Sequence, residues 1–276
     1  MTAELVVVGG GRMGEALAGG LLRCGWAAPG DVIVVEVGGA RRAELLAGLA
    51  ADFPGLTVTG EVPAAAGAVI AVKPADVAGA CAALARRNVG RVLSIAAGVP
   101  IAAIEARLDV GPASGSARRP VVLRAMPNTP AVIGAGASAL AAGADAGDDD
   151  IAWAAGILAA VGTVVTVAEH LLDAVTGLSG SGPAYVFLLA EALVDAGVLV
   201  GLPRATAHAL VVQTLLGSAR LLAETDDGPQ ALRAGVTSPG GTTAAGLRAL
   251  ETAGLRAGVF DAVAAATARA GVLGTG

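Results

Sequence analysis

GGGRMG, residues 9–14, decides the fold of this chain. It follows a short apolar run, ELVVV at 4–8. It opens a stretch at 13–24 whose apolar residues recur at helical spacing. A strand, a glycine loop and a helix in that order give the fingerprint Gly-x-Gly-x-x-Gly its required context. Gly9 permits the tight turn, Gly11 lets a pyrophosphate approach the backbone, and Gly14 lets helix and strand pack closely. Arg12 and Met13 lie between the second and third glycines and belong to the same cofactor-facing loop. The phosphates are expected at the helix N-terminus, where free N–H groups point outward.

Working outward, apolar runs alternate with helical stretches. Strands are expected at 31–37, 56–59, 68–72, 91–95, 121–126 and 163–167, and helices at 40–50 and 75–87 and from about Ile151. Residues 111–120 read as a loop. Near-continuous Val/Ile strands separated by helices predict a parallel sheet covered on both faces. Right-handed crossovers then favour a doubly wound α/β fold. Beyond His170 strand signals nearly vanish, and 184–198, 203–222, 242–253 and 257–270 read as helices. The expected division is a dinucleotide-binding domain at 1–166 and an all-helical domain at 167–276. Residues 181–192 are almost free of charge, which predicts a buried helix and, in so small a domain, a subunit interface.

Composition narrows the function. The chain has 276 residues, 55% hydrophobic and only 15% charged, which excludes a disordered chain. Apolar stretches are broken by Gly, Pro or charge, so no membrane span is expected. The start, MTAELVVVGG, carries no targeting signal, and the chain reads as cytoplasmic. Net charge is −5 and aromatics are 2%, which argues against a nucleic-acid partner. Cys24 and Cys81 form neither a disulfide framework nor a metal cluster, and no metal site is expected.

The strand ends carry the other candidates. Glu36 stands where a ribose diol is bound, which favours NAD, whereas Arg41 and Arg42 follow closely and suit the 2′-phosphate of NADP. Lys73, the only lysine in the chain, precedes Pro74 at the end of a strand, on the rim where such sheets bind ligands. Ala97 and the segment MPNTP, with Met126 and Asn128, end two more strands on that rim. Asn128 reads either as a ligand contact or as the cap of its own turn. Downstream, SGSGPAY at 179–185 and SPGGTT at 238–243 read as Ser/Gly/Pro loops feeding helices. Successive N–H groups in such loops cage a small anion; the alternative is a pair of ordinary helix caps.

Residues 172–204, 210–222 and 236–251, together with AVKP and RAMPNTP, make the sequence resemble the pyrroline-5-carboxylate reductase family. The resemblance implies a Rossmann domain followed by a helical dimerisation domain, with homodimers that assemble further into decamers. It implies a small anionic imine as substrate. Its carboxylate would lie on Ser238, Gly240, Gly241 and Thr242, and its ring nitrogen at the Thr243 hydroxyl. Nicotinamide would lie near Ala97, Met126 and Asn128, with Lys73 on the cofactor side. The family favours NADPH, and Glu36 leaves NADH open. Two departures stand out: Asp227-Gly228-Pro229-Gln230 replaces a common His-Pro pair, and Val37-Gly38 replaces a common arginine. A protonated cyclic imine accepts hydride without an enzymic acid, which suits a chain with only two histidines. A 3-hydroxyacid oxidoreductase of the same architecture would be expected to present a lysine in its helical domain, and this chain has none after Lys73. A redox-sensing binding protein would keep the glycines but would not need SPGGTT.

Overall fold

The computed structural model describes residues 3–87, 89–109 and 119–274. The loop expected at 111–120 therefore lies, up to residue 118, outside the described residues. Eight strands form one sheet: β1 (Ala3–Val8), β2 (Val32–Val35), β3 (Thr57–Thr59), β4 (Ala65–Ile70), β5 (Arg91–Ser94), β6 (Val121–Met126), β7 (Gly136–Ala142) and β8 (Gly162–Thr166). Their order is β3-β2-β1-β4-β5-β6-β7-β8. The first six follow the doubly wound order, which reverses between β1 and β4 and opens a crevice there.

The central strands are buried on both faces, and the crossover helices explain why. Leu5 and Val7 of β1 pack with Leu17 and Leu21 of α1 (Arg12–Arg23) and with Ile157 and Leu158 of α6 (Asp148–Ala159). Val6 and Val8 point the other way, into the cluster holding Cys81 and Leu84 of α4 (Val77–Leu84) and Ile104 of α5 (Ile101–Leu108). The period-2 alternation of a strand thus feeds two apolar cores at once. Between β2 and β3 run α2 (Gly39–Ala47) and the single turn α3 (Leu49–Asp52).

The sheet is not wholly parallel, which corrects the expectation from sequence. β7 pairs antiparallel with β6, Leu140 facing Ala125, and β8 pairs parallel with β7. The sequence predicts no strand at β7, because GASALAA has no β-branched residue. Its buried position between two strands makes it a strand, with Ala139, Leu140 and Ala141 almost fully covered.

The chain divides into two compact units, Met1–Ser181 with Ala265–Gly276, and Gly182–Ala264. The first includes α7 (Leu172–Val175) and a π turn at Thr176–Gly180. The second holds α8 (Gly182–Leu199), α9 (Arg204–Glu224), α10 (Pro229–Gly235), α11 (Thr242–Thr252) and the first part of α12 (Leu255–Gly274). In the single chain α8 is not buried: Val194 alone is covered, and Phe187 is 66% exposed. The helical stretch Glu169–Leu199 is long and apolar enough to cross a membrane by length and composition. A helix buried against another subunit has the same character.

Leu17 is fully buried between α1 and the sheet. Leu17→Ala is expected to lower unfolding stability by about 2–5 kcal/mol, read from urea midpoints. Val37→Ala, at an exposed position, should stay within about 0.5 kcal/mol of the unsubstituted protein.

Candidate active site

The glycine loop leaves β1 through Gly9, whose φ is +109°. Its N–H donates to Val35 O at 2.9 Å, and a Cβ there would lie 2.7 Å from Ala71 O. A Cβ on Gly14 would overlap the Gly9 carbonyl oxygen. Both glycines are thus required by close backbone approach. Gly11 differs: it is exposed, it precedes α1 without a side-chain cap, and a Cβ on it would meet nothing within 4 Å. The uncapped N-terminus of α1 therefore borders open space at Gly11, an environment of the kind that suits an anion.

A cleft of about 950 Å³ brings Gly9, Gly11, Glu36 and Lys73 together. Arg86 and Arg87, just beyond α4, line it too. They had no motif to mark them, and only the packing of α4 beside β4 places them there. Arg12 is exposed, Met13 packs against the apolar core, and Pro74 opens a short 3-10 turn after Lys73. Ala97 lies exposed in the turn after β5, beside Gly98 at φ +75°.

The Gly10 peptide, which the fingerprint passes over, is clamped at both ends. Its N–H donates to Glu36 Oε2 at 3.1 Å, and its carbonyl accepts from Arg41 Nε at 2.9 Å. The other Glu36 oxygen accepts from Gly38 N–H at 2.7 Å. Arg41 is further paired with Glu44 and Glu15. Hydrogen bonding to Glu44 and then to Glu15 raises its pKa above the usual arginine range. Arg42 donates to Glu36 O at 2.8 Å. Both arginines therefore brace the loop that carries Glu36.

The two downstream signals differ in form. SGSGPAY is not a loop: Ser179 and Gly180 lie within the π turn, and α8 starts at Gly182. Gly and Ser predict a loop here, whereas the helix absorbs these residues by widening for one turn. SPGGTT is a turn as expected. Gly241 N–H donates to Ser238 O at 3.0 Å, with Pro239 next and Gly240 at φ +70°. Proline and a positive-φ glycine at those places make a type II turn. A Cβ on Gly241 would strike Ser238 Oγ. Thr242 and Thr243 then begin α11, Thr243 half-buried.

Comparison with known proteins bears on the whole chain. Residues 169–273 match the family model described as pyrroline-5-carboxylate reductase dimerisation, and residues 4–98 match that of NADP oxidoreductase, coenzyme F420-dependent. A pyrroline-5-carboxylate reductase of Synechocystis is 43% identical over 279 residues, spanning 99% of each chain. The chain belongs to the pyrroline-5-carboxylate reductase family. A solved pyrroline-5-carboxylate reductase from Coxiella burnetii superposes with a TM-score of 0.86 at 34% identity, covering 99% of both chains. A Plasmodium falciparum pyrroline carboxylate reductase, solved with NADP bound, gives 0.80 at 27% identity over 99% of this chain and 98% of that one. This chain is thus an NAD(P)H-dependent oxidoreductase of the pyrroline-5-carboxylate reductase family, with a dimerisation domain.

Gly11 and Gly14 should separate on substitution. Gly11→Val is expected to fold with a loss of about 1 kcal/mol, since Val is a poor N-cap, yet lose nucleotide affinity by on the order of 100-fold. Gly14→Val should fail to fold, because its side chain has no space beside Gly9. Thermal melts with nucleotide titration check both.

Proposed function

We propose that this chain reduces the C=N bond of 1-pyrroline-5-carboxylate to L-proline, using the residues identified above in the roles that follow. Bound nicotinamide supplies the hydride. Gly9, Gly11 and the first turn of α1, including Arg12 and Met13, hold its phosphates. Lys73 and Pro74 border the same cleft, and Ala97 and Met126 mark the reacting end. The imine carboxylate is held by N–H groups and hydroxyls of Ser238, Gly240, Gly241 and Thr242. The observation that carries this reading is the type II turn at Ser238–Gly241, which delivers those donors to the start of α11.

The chemistry asks little of acids and bases. In the protonated imine the C=N carbon accepts the hydride, the C=N π pair becomes the nitrogen lone pair, and a neutral amine leaves. The Thr243 hydroxyl orients the ring nitrogen, and the binding loops fix the imine carbon for transfer. An alcohol is too weak an acid to serve as a proton reservoir near neutral pH. The Asp227-Gly228-Pro229 departure leaves this intact, because Pro229 opens α10 at the position where a missing N–H costs nothing.

Both cofactors are accepted in this reading. The NADP-bound Plasmodium relative supports NADPH. The Glu36 carboxylate, fixed by two backbone N–H groups, supports NADH through its ribose diol. The functional boundary falls at 166/167, close to where the dimerisation match begins. A second copy covers Phe187, Leu188 and Phe260, which the single chain leaves exposed, and decamers form from such dimers. The free thiols of Cys24 and Cys81 accord with work in the reducing cytoplasm.

Thr243→Val keeps the β-branched shape and removes only the hydroxyl. It should lower kcat/KM for the imine roughly 5- to 150-fold, equivalent to about 1–3 kcal/mol, while nucleotide affinity of the free enzyme stays unchanged. Wild-type efficiency would remove Thr243 from the site. Complete inactivity in a folded variant would instead require a proton relay through the hydroxyl. Glu36→Gln should shift the NADPH-to-NADH ratio of kcat/KM toward NADPH by on the order of tenfold, as a negative charge is removed from beside a 2′-phosphate.

A further inference from the structure

Asn128 stands two residues after β6, close in sequence to Met126, which is assigned to the reacting end of the cofactor. Its side chain does not cap its own 3-10 turn, Thr129–Ile133. Its Oδ1 accepts from Ala137 N–H of β7 at 2.8 Å. Its Nδ2 donates to Ser179 O at 3.0 Å, across 51 residues of sequence. The orientation of the amide follows from its partners, since an N–H needs an acceptor and a carbonyl needs a donor. The carbonyl it meets lies in the π turn, where Ser181 N–H reaches back five residues to Thr176 O at 2.8 Å. Thr176 and Ser179 hydroxyls also bond back, to Leu172 O and Val175 O. Such back-bonding bends a helix and weakens its own ladder, so an outside anchor matters more here than in a regular helix. The same turn packs on Met126: a Cβ on Gly180 would lie 2.6 Å from Met126 Cε.

We propose that Asn128 is a positioning residue whose amide pins the π turn to the end of β6 and to β7, and so holds Met126 in place, without itself binding the cofactor. The kinetic consequence rests on the reading that Met126 marks the reacting end. The structural part does not. It assigns Asn128 a place among the residues that orient the site, apart from the nicotinamide contacts that the resemblance implies for it.

The chain has only two asparagines, Asn88 and Asn128, so 15N-asparagine labelling gives two side-chain amide signals. In the wild-type protein without nucleotide, one of them should already exchange slowly with solvent, and that protection should stay the same on saturation with NADPH or NADH. Asn128→Asp keeps the acceptor for Ala137 and removes the donor to Ser179. It should abolish the protected signal and speed backbone exchange across residues 172–186 by on the order of tenfold. Its nucleotide affinity should stay within roughly twofold of wild type, while kcat for the imine falls roughly tenfold. Gly180→Ala, which displaces Met126 Cε and leaves the Asn128 anchor in place, should reproduce the loss of kcat while exchange across 172–186 stays at the wild-type rate. The proposal is overturned if both asparagine amides exchange freely in the absence of nucleotide. It is equally overturned if Asn128→Asp weakens nucleotide binding tenfold while exchange across 172–186 stays at the wild-type rate. Altered exchange with unchanged kcat would keep the anchor and remove Met126 from the reacting end. Because the labelling experiment uses the wild-type protein and needs no cofactor, it decides the anchor even if Asn128→Asp does not fold.

Discussion

The rest of the site depends on how closely the backbone at Gly9 approaches its neighbours. The chain leaves β1, turns at positive φ, and starts a helix whose first turn packs onto the loop itself. The Gly9 carbonyl lies where a side chain on Gly14 would have to go, and the end of β4 lies where one on Gly9 would have to go. Only hydrogen atoms fit at those two places. That contact aims the N-terminus of α1 at the crevice, and the same approach brings the Gly10 peptide within reach of Glu36 and Arg41. One steric condition therefore sets both the anion-facing helix end and the carboxylate beside it.

Charge around this loop is arranged for rigidity as much as for recognition. Arg41 meets two carboxylates and a carbonyl, and Arg42 meets the backbone at Glu36. Each surface pair contributes little alone. Together they hold the Glu36 carboxylate between two backbone N–H groups, so it is a fixed acceptor at the edge of the cleft. The cations that line the cleft, Lys73, Arg86 and Arg87, come from the segments that follow β4 and α4.

The helical unit presents the opposite case. Its helices carry many apolar residues that the single chain leaves open, including Phe187, Leu188 and Phe260. An apolar surface of this kind marks an association face, and the match of residues 169–273 to a dimerisation domain accounts for it. The same residues give Glu169–Leu199 the length and hydropathy of a membrane span, which shows how little those two properties say without a partner.

Sequence alone determined the strand–glycine loop–helix unit, the doubly wound order, the helical second half and the SPGGTT turn. Each rests on a local rule: alternation, helical spacing, or the φ that a Pro-Gly pair permits. It did not show β7, because Gly and Ala carry no strand preference and only the neighbours β6 and β8 make that segment a strand. It took Ser179–Gly180 for a loop, because the compensation for weak helix formers there is a hydrogen bond from Asn128, 51 residues away. The bonds of Arg41 to Glu15 and Gly10 were not legible either, since packing brings those partners to it. The tertiary structure decided what every one of these side chains does, because a hydrogen bond joins whatever groups the fold places within about 3 Å, regardless of their separation along the chain.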